Sequence, residues 1–285
     1  METSEPSGST PSSILIFDSG AGGLSILREI RQTLPGTPLH YLMDTGLFPY
    51  GSQSDEVLSQ RIPELCCAAV ERFQPAVLVL ACNTASTLAL PLLRAALTIP
   101  VVGVVPAIRV AAGDCRNSGQ SAFGLLATPA TVKRPYTDQL IADFASDLTV
   151  HRFGSPLLVN YAERYIRGEN VANELAAHLG PWLTENSDVR DVVLGCTHYP
   201  LLRPLLEQLW PDYRWIDSGK AVARQTERVL MDTIGKDESE QPTNAITLNW
   251  TGHEKPNGAA RYLQNLGNVS ESGVFMSIGT SNPAG

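Results

Sequence analysis

The sequence is short of positive charge: 21 Lys and Arg against 29 Asp and Glu leave a net charge of −8. This excludes nucleic-acid binding through a basic surface, though an acidic protein can still meet a basic partner, and a small anion would need a locally polar pocket. Cysteine is scarce as well. Five of them, an odd number in a chain of 285 residues, do not make a disulfide framework. The opening residues carry no leader pattern, so the expected setting is the reducing cytoplasm. Long apolar runs are missing too. The most apolar stretch, 75–93, contains Asn83, Thr84, Ser86 and Thr87 and is interrupted by Pro91, which predicts a strand followed by a helix and no membrane segment. No His, Cys, Asp and Glu cluster has metal-ligand spacing and no lysine context suits pyridoxal phosphate, so neither metal nor cofactor is expected.

What is present suits a folded α/β protein. With 43% hydrophobic and 18% charged residues, the chain has material for one large or two medium domains. Residues 1–13, rich in Ser, Thr, Pro and Glu, predict a disordered tail. From Ile14 onward short aliphatic runs end in small polar residues and pass into helical patterns: 14–17, 39–43, 77–81, 101–105, 123–127, 192–195 and 213–216. Alternation of this kind implies parallel sheets flanked by helices. Helical spacing is clear for Leu24, Leu27, Ile30 and Leu34, for Leu88, Leu92 and Leu93, and for Leu201, Leu205 and Leu209. The segment around Cys82 (VLVLACNTAS) echoes that around Cys196 (VVLGCTHYPLL), and DSG occurs at 18–20 and 217–219. The expected architecture is therefore α/β with two similar lobes, 14–105 plus 214–285 and 106–213, and a site between them. Beyond Lys236 the pattern is weak.

The candidate chemistry lies where strands end, since open parallel sheets bind ligands beyond their carboxyl edges. Cys82-Asn83-Thr84 and Cys196-Thr197-His198 each follow an apolar run. A thiol whose unperturbed pKa lies near neutrality, lowered further at a helix start, suits acid/base exchange at a carbon beside a carboxylate. Both cysteines are expected to begin a helix. Two such groups on opposite faces invert the centre. Cys66 and Cys67, within an apolar helical pattern, read as packing residues, and Cys115 as an incidental exposed thiol in a loop. Asp18 ends the first strand beside glycines and is either functional or a helix cap, as is Asp217. His198 is placed to relay a proton for Cys196. Glu163, on a helical pattern, reads as a solvated charge, and Tyr50, Gly51, Asn83, Thr84, Thr128, Thr131 and Thr197 are candidates for orienting an amino acid's charged groups.

Together, DSGAGGLS at 18–25, FPYG at 48–51, ACNTAS at 81–86, VVGVVPAI at 101–108, LLAT at 125–128 and GCTHYPLL at 195–202 resemble the glutamate racemase family over about residues 14–232. The resemblance implies a cofactor-independent isomerase interconverting L- and D-glutamate for peptidoglycan synthesis. It makes Cys82 the acid/base facing D-glutamate, assisted by Asp18, and Cys196 the one facing L-glutamate, assisted by His198. Ser19, Tyr50, Gly51, Asn83, Thr84 and Thr197 match substrate-binding positions, and Glu163 a supporting glutamate. Two departures stand out: PYG is followed by Ser52-Gln53 without the frequent lysine, and 44–47 lacks a frequent arginine. The long N-terminal segment and 131–134 resemble the enterobacterial branch, which implies a nucleotide-linked cell-wall precursor as activator.

Other readings stay open on the sequence. Gly20-Ala21-Gly22 after a strand, with Asp44 one unit later, imitates a dinucleotide fingerprint, although Ser25 replaces its last glycine and Asp18 would face a pyrophosphate. Aspartate or another amino acid is the alternative substrate. A non-enzymatic acidic partner, with a gyrase-type target, is the alternative of another class. Oligomeric state is not legible.

Overall fold

The computed structural model describes residues 13–234 and 243–275, so the tail expected over 1–13 lies outside the described residues except for Ser13. The chain runs β1 (Ile14–Asp18), α1 (Leu24–Thr33), β2 (Leu39–Met43), α2 (Asp55–Phe73), β3 (Val77–Leu80), α3 (Asn83–Ala96), β4 (Val101–Gly103) and α4 (Ile108–Ser118). It continues through β5 (Ala122–Ala127), α5 (Pro129–Val132), α6 (Pro135–Ala145), β6 (Thr149–Gly154), α7 (Leu157–Ile166), α8 (Ala172–Glu185) and β7 (Asp191–Leu194). Then follow α9 (Arg203–Leu209), β8 (Arg214–Ile216), α10 (Gly219–Ile234), β9 (Ala245–Trp250), α11 (Asn257–Gln264) and β10 (Asn268–Val274).

These strands form two sheets, β10-β9-β2-β1-β3-β4 and β6-β5-β7-β8, with parallel pairing throughout. Helices on both faces explain why the inner strands are continuously apolar. In β1, Ile14 and Ile16 pack with Leu24, Leu27 and Ile30 of α1, whereas Leu15 and Phe17 face Leu58, Ile62 and Leu65 of α2 and Ala85, Ala89 and Leu93 of α3. The stretch 75–93 is a strand and a helix, and among the described residues no helix is long and apolar enough to cross a membrane.

The first four strands and the next four share one order, with the second strand on one side of the first and the third and fourth on the other. This duplication makes Cys82, after β3, and Cys196, after β7, topological equivalents. The DSG echo has no such meaning: Asp18 ends β1, but Asp217 follows β8, the counterpart of β4. Asp217 instead pairs with Arg203 and accepts from Gly219 N at 2.7 Å, capping the start of α10.

Four expectations change. Residues 214–216, expected to open the return into the first lobe, pair as β8 with β7 of the second sheet; the chain rejoins the first lobe with α10, which packs on α1. Strand β6 was not expected, because as an edge strand it mixes half-buried Val150, His151 and Phe153 with exposed Thr149 and Arg152 instead of forming an apolar run. The weakly patterned region holds β9, α11 and β10, which widen the first sheet beyond β2. Cys115 is likewise no loop thiol. It sits in α4, fully buried, with Sγ 3.5 Å from Ala122 O and 3.6 Å from Asp191 Oδ2. Native alkylation followed by peptide mapping is expected to modify half-buried Cys67 and to spare Cys66 and Cys115; modification of Cys115 before unfolding would contradict this packing.

Candidate active site

In each sheet the chain reverses its direction of strand addition beside the first strand, which opens a crevice at the carboxyl ends of β1 and β3 and of β5 and β7. The two crevices face each other across one cleft of about 1090 Å³. Cys82 and Cys196 both line it, as do Asp18, Ser19, Asn83, Thr84, Thr197 and His198. The rest of the sequence-derived set, Tyr50, Gly51, Thr128, Thr131 and Glu163, also lies on its walls. Sequence reasoning missed Asn160, Arg167 and the segment 252–259. Of these, 252–259 follows β9, whose alternating Ile246, Leu248 and Trp250 were the available signal.

The lobes meet closely at the base of the cleft. Thr197 Oγ1 donates to Asp18 Oδ2 at 3.0 Å, Asn83 Nδ2 to Gly195 O at 2.9 Å, Ser25 Oγ to Thr197 O at 2.9 Å and Ala21 N to Glu163 Oε1 at 3.0 Å. Such approach needs glycine. A Cβ at Gly22 would lie 2.5 Å from His198 Nδ1 and 2.6 Å from Thr197 Oγ1, and one at Gly20 would lie 2.6 Å from the Phe48 ring. In the loop that imitates a dinucleotide fingerprint, Gly22 therefore admits the second lobe and Gly20 the Phe48 ring of the first, not a pyrophosphate. Asp44, the acid of that imitation, is fully buried and held by both nitrogens of the Arg61 fork.

The two thiols have different neighbours. Cys82 immediately precedes α3, where the backbone N–H groups of Ala85 and Thr84 favour its charged form. The thiol is nevertheless not activated as a helix start would suggest. Burial first, and the Asp18 carboxylate second, push it well above its ordinary value, outweighing those N–H groups. Cys196 does not begin a helix: a turn and the 3-10 stretch Tyr199–Leu202 separate it from α9. Its Sγ lies 3.9 Å from His198 Nδ1, and His198 Nε2 lies 3.0 Å from Glu163 Oε1. Burial alone would lower the His198 pKa, but bonds to Cys196 and Glu163 raise it well above the ordinary value. Glu163 moves down in turn: its own burial is outweighed by the His198 bond and charge. The two form an imidazolium–carboxylate pair, so Glu163 is a cleft residue and no solvated charge.

Asp18 is fully buried, and its carboxyl pKa is raised by burial to about 6, against the opposing effects of His198, Gly20 N, Thr197 and Ser19. Tyr50 departs from expectation. Its hydroxyl donates to Asp44 Oδ2 at 2.8 Å, away from the cleft, which leaves its backbone and ring to face a ligand. Among the described residues no group of three or more His, Cys, Asp or Glu side chains is arranged to hold a metal ion.

Paired parallel α/β lobes that each present a thiol to one cleft define an acid/base protein of the two-thiol class. The sequence matches the family described as Asp/Glu/Hydantoin racemase over residues 14–226, and the chain belongs to that family. It is 48% identical over 227 residues to a glutamate racemase of Proteus mirabilis, covering 79% of this chain and 78% of that one. With a glutamate racemase of Klebsiella pneumoniae it shares 46% identity over 240 residues, 82% and 84% of the two chains. Among solved structures, Escherichia coli glutamate racemase in complex with L-glutamate and the activator UDP-MurNAc-ala aligns with TM-score 0.83 and 39% identity, over 93% of this chain and 100% of that one.

The Asp18 shift has a stability consequence. Its folded pKa, about 6, lies above the ordinary 3.8, so folding takes up a proton from about pH 4 to about pH 6, and stability falls as pH rises through that window. At about 1.4 kcal/mol per pKa unit the loss is about 3 kcal/mol. Asp18→Asn carries no such charge. Urea unfolding is expected to show the variant gaining stability relative to wild type across that window and holding the gain above it; a pH-independent difference would contradict a buried, ionising Asp18.

Proposed function

We propose that this chain is a glutamate racemase that interconverts L- and D-glutamate by exchanging the α-proton between two thiols. The observation that carries the proposal is that Cys82 and Cys196, supplied by equivalent positions of two lobes, open on the same cleft. From L-glutamate, Cys196 as thiolate takes the α-hydrogen while the Cys82 thiol delivers one to the opposite face. The C–H bond that breaks becomes an S–H bond on one side, and an S–H bond breaks to form the new C–H bond on the other. A Cys82 whose buried setting favours its protonated form is prepared for that direction. The reverse reaction exchanges the roles, with Asp18 assisting Cys82 and the His198–Glu163 pair assisting Cys196.

The remaining cleft groups suit an amino acid with two carboxylates. Asn83 is fixed through its Nδ2 to Gly195 O, while its buried Oδ1 has no protein partner among the described residues, which fits an acceptor for the α-ammonium. Thr84, Thr128, Thr131 and the backbone at Tyr50 and Gly51 are donors for carboxylates, while the hydroxyls of Ser19 and Thr197 donate to Asp18 and line the cleft beside it. The product D-glutamate serves peptidoglycan synthesis. The Escherichia coli relative, solved with UDP-MurNAc-ala as activator, supports a nucleotide-linked cell-wall precursor as the activator here. A gyrase-type target finds no support in the site or the comparisons. Aspartate turnover measured beside glutamate decides between the two substrates.

Cys82→Ala and Cys196→Ala are each expected to lower racemisation by about 10⁴-fold, at the upper end for loss of a positioned acid or base, with the fold retained by circular dichroism. The serine variants should be nearly as inactive, because a hydroxyl is a far weaker acid. In deuterated buffer the wild-type product should carry solvent deuterium at its α-carbon. Retention of the original hydrogen, or an active single-cysteine variant, would overturn the two-thiol exchange.

A further inference from the structure

Asp44 follows β2 as a fully buried carboxylate, and four protein donors fill its oxygens. Oδ1 accepts from Arg61 Nη2 at 2.8 Å and from Thr251 Oγ1 at 2.5 Å. Oδ2 accepts from Arg61 Nε at 3.0 Å and from the Tyr50 hydroxyl at 2.8 Å. The donors belong to three segments: the loop 45–52, α2 that follows it, and the chain leaving β9, far away in sequence.

The same junction is laced by the backbone. Gly46 N donates to Thr251 Oγ1 at 3.0 Å and Gly252 N to Thr45 Oγ1 at 2.8 Å. Thr251 N bonds Met43 O at 3.1 Å, and Asp44 N bonds Asp18 O at 2.9 Å. Thr45, Gly46, Tyr50 and Gly51 on one side and Gly252 and His253 on the other line the cleft. Asp44 thus stands behind the wall, touching no part of the space a ligand would fill.

We infer that Asp44, gripped by the Arg61 fork, is a positioning residue for substrate binding, joining loop 45–52 and segment 251–259 into one rigid wall of the cleft. A bidentate guanidinium fixes the carboxylate plane, so Tyr50 and Thr251 each meet an oxygen at a defined angle. The wall is then ordered before substrate arrives, and binding does not have to order it. This inference rests on the reading of the cleft as a glutamate site. It assigns Asp44, Arg61 and Thr251 an effect on substrate affinity exerted through the wall and not through contact.

Asp44→Asn strands Arg61 and endangers the fold, so Thr251→Val and Arg61→Lys carry the test. Amide hydrogen exchange is expected to quicken about tenfold at 45–52 in both variants, as for loss of a charge-assisted hydrogen bond, while β1 and β3 keep their protection. In racemisation assays the KM for L-glutamate is expected to rise about tenfold with kcat falling less than about threefold, the pattern of lost uniform binding. Unchanged exchange at 45–52, or faster exchange with an unchanged KM, would overturn the clamp. So would a fall in kcat and thermal stability together with KM intact. A wild type that neither binds nor turns over glutamate would overturn the proposed function instead, and the exchange measurement then decides the clamp alone.

Discussion

The whole site depends on the turn 195–198 of the second lobe lying within hydrogen-bonding reach of the loop 18–25 of the first. Asp18 with Thr197 and Ser25 with Thr197 hold that contact, Asn83 with Gly195 flanks it, and the missing side chain of Gly22 makes room for it. The same closeness buries Asp18 completely and so disfavours its charged form. A carboxylate that weakens the fold when ionised thus stands beside the Cys82 thiol.

Equivalent topology does not give the two thiols equivalent surroundings. Cys82 has a carboxylate neighbour and two helix N–H groups; Cys196 has an imidazole already paired with Glu163. A reaction that runs both ways over nearly mirror-related substrates needs an acid and a base at every instant. In the proposed exchange, the unlike neighbours of the two thiols would supply that difference. The resting asymmetry belongs to the direction of turnover, and the shared strand order belongs to the geometry of inversion.

Much of the fold was legible because parallel strands covered on both faces read as unbroken aliphatic runs; 39–43 matches β2 residue for residue. The edge strands β4 and β8 still carry that signal, but the edge strands β6 and β10 interleave polar residues and were missed, and β9 was hidden between polar stretches. In the site, Cys82, Cys196 and His198 stood out through their position after strands. Glu163 and Tyr50 show the limit. Whether a helical glutamate faces water or a histidine, and whether a tyrosine hydroxyl turns toward a cavity or toward Asp44, is decided by the docking of distant segments. Local pattern records no such docking. The buried Cys115 failed for the same reason, since Gly, Asp, Arg and Asn around it suggested a loop while Asp191 and Ala122 close over it.

The pairing of β2 with β9 bears on how the molecule is made. His40 and Thr247, which meet across these strands, are 207 residues apart. At translation rates of about 5–20 residues per second, the edge of β2 waits about 10–40 s for its partner to emerge. Until then its open ladder of N–H and C=O groups is a sticky flank on a nascent lobe. The lobe also lacks the cleft wall that follows β9, so a ribosome-bound chain can hold both sulfurs and still have no finished enclosure. Maturation of the enzyme is thereby timed by the emergence of β9 and of the wall that follows it.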